Sequence, residues 1–235
     1  MVRQLGLLAE LNLHREAWQP VLILLAGVFL LSATPLRVPF KWAETFYHEF
    51  SHGLAALLTG GRIGRIQLRF DGSGVCTTRG GSRTLILLAG YAGAALWGGM
   101  LYLIGGGLTP EATQMWLIAE LTLLGIVFVL WARDPQTWLI LLVIAGVYAL
   151  GLWLPDSRVL PWLFRIIGLY VLCNALKAPL VLIDGQSVGD GADLQRLYWI
   201  IPEIVWVMLW FVFALAVLVY CMARTVPGVG WALGI

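Results

Sequence analysis

The feature that most limits what this chain can fold into is a series of apolar stretches. Each is about as long as the roughly 20 residues that a transmembrane helix needs. Six of them lie at about 18–36, 85–107, 113–131, 136–153, 160–183 and 199–222. A seventh, shorter stretch at 42–59 carries several polar side chains. The pattern predicts an all-α polytopic membrane protein with six to seven transmembrane helices, folded as a single membrane domain over residues 1–235.

Composition supports the membrane class and excludes others. Of the 235 residues, 60% are hydrophobic and only 12% are charged, whereas a soluble domain is about a quarter charged. The three cysteines lie far apart and predict neither a disulfide framework nor a cysteine-based metal site. A net charge of +2 gives no indication of a nucleic-acid partner.

The longest polar segment is 60–84. Its partly alternating apolar residues and the Asp71-Gly72 turn signal predict a short β-hairpin or loop insertion. Five arginines favour the cytoplasmic side for this segment, and with two spans before it the N-terminal segment 1–17 would be cytoplasmic too. The five arginines are Arg62, Arg65, Arg69, Arg79 and Arg83. We expect a bacterial-type inner (plasma) membrane.

The pattern His48-Glu49-Phe50-Ser51-His52 lies inside the apolar stretch 42–59. Residues four apart share one face of a helix, so both imidazoles can bind one metal ion. Glu49 lies beside them and can polarise a metal-bound water. The pattern predicts a metal-motif helix over 42–59; the alternative is a polar helix-packing contact or an interfacial helix with a hydrated face.

A third ligand is required, because a catalytic zinc normally has three protein ligands and one open position. His14, the only other histidine, precedes the first span and is expected to be exposed. The candidates are therefore carboxylates: Asp184, Asp190 and Asp193 in a Gly/Asp-rich loop at 184–198, and Glu120 and Glu203 within spans. For the two glutamates an interhelical hydrogen bond or a polar contact near the membrane interface is the favoured interpretation.

A stripe of small residues, Gly90, Ala94 and Gly98, recurs at four-residue spacing in the stretch 85–107. Such a stripe allows a second helix to approach closely. We interpret it as ordinary helix packing.

The HEFSH helix, the following LTGGRIGRI, RGGSRTLILLAGYAGAALWGG and the late NALKAPLVLIDGQSVGDGADLQRL together resemble the site-2 protease clan, most closely its compact bacterial-type branch without a PDZ domain. The resemblance covers roughly 43–107 and 170–215. It implies a membrane zinc metalloendopeptidase with His48 and His52 as ligands and Glu49 as general base.

The later part of the resemblance bears on the third ligand. The compact branch has a Ser-Asp-Ala pattern before the final span, which Gly189-Asp190-Gly191 matches best. The wider family's Leu-Asp-Gly pattern would instead select Asp184, with Asn174 as a polar group on the substrate side. The resemblance thus favours Asp190 as the zinc ligand, with Asp184 second.

The resemblance implies cleavage of peptide bonds in membrane-embedded substrates, with transmembrane peptides, the bilayer and other membrane subunits as partners. A substrate strand would pair with the edge of the hairpin at 62–70. One alternative is a non-proteolytic relative acting as an accessory or structural subunit of a larger membrane complex; another is a metal transporter. In the simplest topology His48 lies in the outer half of its span, far from a cytoplasmic 184–193 loop.

Overall fold

The computed structural model describes Gln19 and residues 21–153, 159–184 and 188–225. In chain order the elements are α1 (Val21–Ser32), α2 (Arg37–Leu58), β1 (Arg62–Leu68), β2 (Gly74–Arg79), α3 (Arg83–Gly107), α4 (Pro110–Leu130), α5 (Pro135–Trp153), α6 (Val159–Val181), a short 3-10 turn (Leu182–Asp184), α7 (Asp190–Leu197) and α8 (Glu203–Thr225). The predicted fold class, an all-α membrane protein with a small hairpin insertion, is confirmed.

Five of the described helices, α3, α4, α5, α6 and α8, are long and apolar enough to cross a membrane. Helices α1 and α2 pass the same test only as a pair, and they are bent by 99° at the break between them. The sequence predicts two crossings here, whereas the structure gives five candidate spans among the described residues, or six with this pair. The predicted N-terminal segment 1–17, including His14, lies outside the described residues.

Helix α2 begins five residues before the predicted start at 42, because Pro39 falls in its first turn, where a helix tolerates a missing N–H. It ends in a Schellman motif. Gly60 has a φ of 82°, its N–H donates to Leu57 O at 3.2 Å, and the Gly61 N–H donates to Ala56 O at 2.7 Å. This turn sends the chain directly into β1.

Strands β1 and β2 form the predicted antiparallel hairpin around Asp71-Gly72. The Asp71 carboxylate accepts hydrogen bonds from both the N–H and the hydroxyl of Ser73, and Gly72 has a φ of 84°. The buried side chains of β1 are Ile63, Ile66 and Leu68, which join the core formed with α2. The hairpin thus lies along the helix that carries the histidines.

Helices α3 and α6 pack so closely that glycines are required at the contact. A Cβ on Gly98 would lie 2.7 Å from the Leu172 backbone nitrogen, and one on Gly168 would lie 2.3 Å from that of Tyr102. The predicted packing role of the small-residue stripe is correct at Gly98.

Residues 190–197 form the helix α7, whereas the sequence predicts a loop at 184–198. Gly189 turns the chain into this helix with a φ of 112°, a conformation that side chains strongly disfavour. Asp190 and Asp193 lie in the first turn and Arg196 in the last, the arrangement that the helix dipole favours. The loop interpretation missed this because the segment is too short and polar to show a helical hydrophobic period.

Candidate metal centre

His48 and His52 lie one turn apart on α2 and turn their rings toward the same point. Their Nε2 atoms are 3.0 Å apart. The Nδ1 atom of His52 lies 2.6 Å from the Ile86 carbonyl oxygen of α3. Because a carbonyl can only accept, Nδ1 carries a proton, so Nε2 is the nitrogen that can bind a metal ion once it loses its own proton, as in metal-binding histidines.

Helix α7 brings Asp190 to the same point. Its Oδ2 atom lies 3.3 Å from His48 Nε2 and 3.2 Å from His52 Nε2. Burial raises the pKa of Asp190, but the positive charge of His52 and the hydrogen bonds from both imidazoles outweigh it and hold that pKa well below its usual range. The carboxylate is therefore ionised at neutral pH.

These three atoms fit a metal ion. A tetrahedral zinc with bonds of about 2.0–2.2 Å separates its ligand atoms by roughly 3.3–3.6 Å, close to the observed 3.0–3.3 Å. Two imidazole nitrogens and one carboxylate oxygen are also a donor set that catalytic zinc uses. His48, His52 and Asp190 are the one group of this kind among the described residues.

The predicted separation between His48 and the 184–193 segment is wrong. Contacts between side chains tie α7 and Tyr198, the residue that follows it, to the start of α3. Arg83 Nη2 lies 2.5 Å from Asp193 Oδ2, and the hydroxyls of Thr84 and Tyr198 are 2.8 Å apart. Since α3 runs alongside α2 and supplies the Ile86 carbonyl, α7 is held against the histidine face.

Glu49 is buried beside the cluster, with 6% of its surface exposed. Its carboxylate accepts a hydrogen bond from the backbone of Cys76 on β2. A Cβ on Gly74 would lie 2.8 Å from Glu49 Oε1, so β2 packs directly on the carboxylate. The hairpin therefore fixes Glu49 next to the metal-binding atoms.

Besides Ile86, two more residues of α3 shape the site, and the sequence alone assigns this role to neither. A Cβ on Gly90 would lie 2.5 Å from Cε1 and Nε2 of His52 and 2.7 Å from Cε1 of His48. Tyr91 packs against His48 with the ring centroids 4.5 Å apart. The sequence predicts helix packing for Gly90, because it lies four residues before Ala94. That spacing does not indicate which side chains face Gly90, so the two imidazoles could not be predicted.

A polar cavity of about 480 Å³ opens over the cluster. Its walls come from the polar face of α2, the hairpin turn, the start of α3 and α7. At one end Lys41 Nζ lies 2.5 Å from Glu44 Oε2, and Thr45 donates to the Gly72 carbonyl oxygen at 2.7 Å. The cluster therefore opens onto a polar cavity with room for several water molecules.

A family model described as Peptidase M50B-like matches residues 21–221, which is most of the chain and includes every element of the site. The chain belongs to the Peptidase M50B-like family. This match confirms the resemblance to the site-2 proteases. It also covers α4 and α5, which lie between the two segments that carry the resemblance. No curated protein and no solved structure gives a significant match.

In this M50B-like protein the two glutamate candidates lie outside the cluster. Glu120 is buried and accepts a hydrogen bond from Tyr47 at 3.1 Å; the Tyr47 hydroxyl is also 2.6 Å from that of Tyr148. Glu120 thus makes the interhelical hydrogen bond that the sequence favoured. The Glu203 N–H donates to Gln195 Oε1 at 2.8 Å, and its carboxylate packs against α7.

Asp193 and Asn174 also lie outside the candidate metal-binding group. Asp193 forms ion pairs with Arg83 and Arg196. Asp184 ends the short 3-10 turn, but its side chain lies outside the described residues. Asn174 donates to the Tyr170 carbonyl oxygen at 3.0 Å within α6, and it is not among the residues that line the cavity.

Proposed function

We propose that this protein is an intramembrane zinc metallopeptidase that hydrolyses peptide bonds of membrane-embedded substrates. The observation that carries the proposal is the triangle of two imidazole nitrogens and one carboxylate oxygen beside a buried glutamate in a polar cavity. Family membership supports it, because the family is one of membrane metallopeptidases.

His48, His52 and Asp190 would hold the zinc ion. The bond from His52 Nδ1 to the Ile86 carbonyl orients one ligand ring, and Tyr91 supports the other. Bound zinc supplies Lewis acidity toward water and a peptide carbonyl.

Glu49 would act as the general base. Its carboxylate accepts the proton of the attacking water and later delivers that proton to the leaving amine nitrogen. The Cys76 backbone hydrogen bond and the packing of Gly74 hold the carboxylate in one position during both transfers. A fixed base needs little reorganisation when the proton moves.

The substrate would bind as an added strand, on the edge of β2 and not on the β1 edge that the sequence suggested. The outer edge of β1 is engaged, since Ile66 N–H donates to Trp131 O at 3.0 Å and Leu68 N–H to Thr137 Oγ1 at 2.9 Å. The β2 edge instead faces the cavity, which Gly74, Val75 and Cys76 line. A strand added here would lie in the cavity, next to Glu49.

We place the protein in an inner (plasma) membrane with the hairpin on the cytoplasmic side. The arginines of 60–84 support this through the positive-inside rule. The cytoplasmic position of the N-terminal segment 1–17 remains a prediction.

The proposal is tested on purified protein in liposomes with a panel of transmembrane peptides. We expect one zinc per wild-type chain, loss of zinc in His48→Ala and Asp190→Ala, and zinc retention without cleavage in Glu49→Gln. Zinc retained by Asp190→Ala would indicate that another carboxylate is the third zinc ligand. Absence of cleavage by wild type, with stoichiometric co-purification of other membrane proteins unchanged by Glu49→Ala, would instead indicate an accessory subunit.

A further inference from the structure

The outer face of the hairpin carries a groove that is separate from the metal centre. The groove has a volume of about 890 Å³ and is lined by the hairpin and the α4–α5 connection. Its described lining contains no carboxylate. It includes four exposed arginines, Arg62, Arg65, Arg79 and Arg133. The metal-site function uses none of them.

A β-bulge places the arginines of β1 on one face. Side chains alternate along a regular strand, so Arg62 and Arg65, three residues apart, would point to opposite sides. The register shifts between Ile63 and Arg65, which adds Gly64 as an extra residue. As a result both arginines are exposed while Ile63 and Ile66 are buried.

The facing strand adds a third positive charge at close range. Arg79 on β2 is the direct cross-strand partner of Arg62. Like charges directly opposite each other destabilise a sheet. Within the described part of the chain, none of the three hairpin arginines forms an ion pair with a carboxylate.

One acidic group lies near the groove, and it is already engaged. The charge of Arg65 helps to lower the pKa of Asp134. The Asp134 oxygens, however, accept hydrogen bonds from the Thr137 N–H at 2.9 Å and hydroxyl at 2.8 Å. One negative charge can balance at most one of the four arginines, so the groove keeps a net positive charge.

The groove lies where two candidate spans leave the bilayer. Arg133 belongs to the connection between α4 and α5, and its guanidinium donates to the Val129 and Ala132 carbonyl oxygens. The bond from Ile66 N–H to Trp131 O fixes β1 at the same level. That is the depth of lipid headgroups, where arginines bind anionic phosphates.

We propose that this groove binds the phosphate of an anionic phospholipid headgroup, with Arg62, Arg65 and Arg79 as its main contacts. Guanidinium groups suit this ligand, because their planar fork donates two parallel hydrogen bonds to phosphate. A bound headgroup would relieve the repulsion between Arg62 and Arg79. It would also anchor the hairpin whose opposite side packs on Glu49.

The test uses the full chain purified in detergent and titrated with dioleoyl phosphatidylglycerol or dioleoyl phosphatidylcholine. Bound lipid is counted by native mass spectrometry, and unfolding temperature is measured in parallel. The variant is Arg62→Gln/Arg79→Gln. Its matched control is Arg69→Gln/Arg224→Gln, which removes the same charge from exposed arginines outside the groove. Inorganic phosphate is a separate arm.

We expect the wild-type protein to bind the anionic lipid in preference to the zwitterionic one. The variant should bind it about thirty-fold more weakly, the loss expected for two arginines at an anionic surface. Its unfolding temperature without lipid should be unchanged or higher, since a repulsive pair has been removed. The control should bind like wild type, and inorganic phosphate should not stabilise the protein.

Four results would overturn the proposal. The first two are an equal lipid affinity in wild type and variant, and a loss of affinity in the control as large as that in the variant. The third is an unfolding temperature of the lipid-free variant well below that of wild type. The fourth is stabilisation by inorganic phosphate as large as that by lipid. Displacement of the lipid by a poly-glutamate peptide that binds more tightly would assign the groove to an acidic polypeptide instead.

Discussion

Gly90 faces both imidazoles of the candidate site at a distance that leaves no room for a side chain. The histidines and Glu49 are recognisable in the sequence because their spacing on a helix is diagnostic. The residues that make space for them are not, since a glycine in a membrane helix is most often a packing residue. At this scale the sequence identifies the reactive groups but not their surroundings.

Replacement of Gly90 by alanine should weaken zinc binding by about ten-fold to a hundred-fold, the range typical of residues that orient metal ligands. The added methyl group would force the imidazoles of His48 and His52 apart. Zinc affinity is measured by competition with a chromophoric chelator. Gly125→Ala is the control, because a Cβ there meets no atom within 4 Å. Equal affinities in the two variants would contradict the spacing argument.

The Asp134 carboxylate caps α5, which begins at Pro135. Asp134→Ala should lower the free energy of unfolding by about 1 kcal/mol, whereas Asp134→Asn should cost only a few tenths. Burial raises the pKa of Asp134, but the hydrogen bonds from Thr137 bring it below its ordinary 3.8. The charged cap therefore stabilises α5 at neutral pH and loses its effect as the pH falls through the lowered pKa. Denaturant titration of the three proteins at neutral pH and at a pH well below 3.8 measures this.

Helix α7 is the element that the sequence did not predict, and it carries Asp190, the third residue of the candidate metal-binding group. Its eight residues are too few for a hydrophobic period to be visible, and isolated helices of that length are unstable in water. Packing against α3 and α8 stabilises it, together with the ion pair between Arg83 and Asp193. The earlier choice of Asp190 came from a family pattern and not from any expectation of a helix.

Breaking the contact between α7 and α3 should affect the metal centre at a distance. The Arg83 and Asp193 side chains are 55% and 32% exposed, so the pair contributes at most about 1 kcal/mol. Asp193→Asn should therefore weaken zinc binding less than ten-fold while leaving α2 intact. The exchange Arg83→Asp/Asp193→Arg should restore most of the affinity. An unchanged affinity in Asp193→Asn would show that apolar packing alone positions α7.

For the molecule as a whole, the candidate ion joins two segments that are about 140 residues apart in the sequence, α2 and α7. Binding to the folded state alone stabilises it by mass action, by about 2.7 kcal/mol when free zinc is a hundred times its Kd. A strong chelator should therefore lower the unfolding temperature of the wild-type protein in detergent. The same treatment should not change that of His48→Ala or Asp190→Ala. An equal effect on all three would assign the stabilisation to a different site.

The sequence by itself determined the membrane class, the number of membrane spans to within one when the bent pair is counted as a span, the hairpin, and the candidate site of two histidines with Glu49. These follow from local rules: apolar length, turn residues and the four-residue spacing of a helix. Only the tertiary structure decided that α1 and α2 are sharply bent, that α7 is a helix, and that Asp190 meets the imidazoles while Glu120 bonds to Tyr47. These contacts join residues distant in the chain, and a local pattern carries no information about which distant carboxylate packing will select.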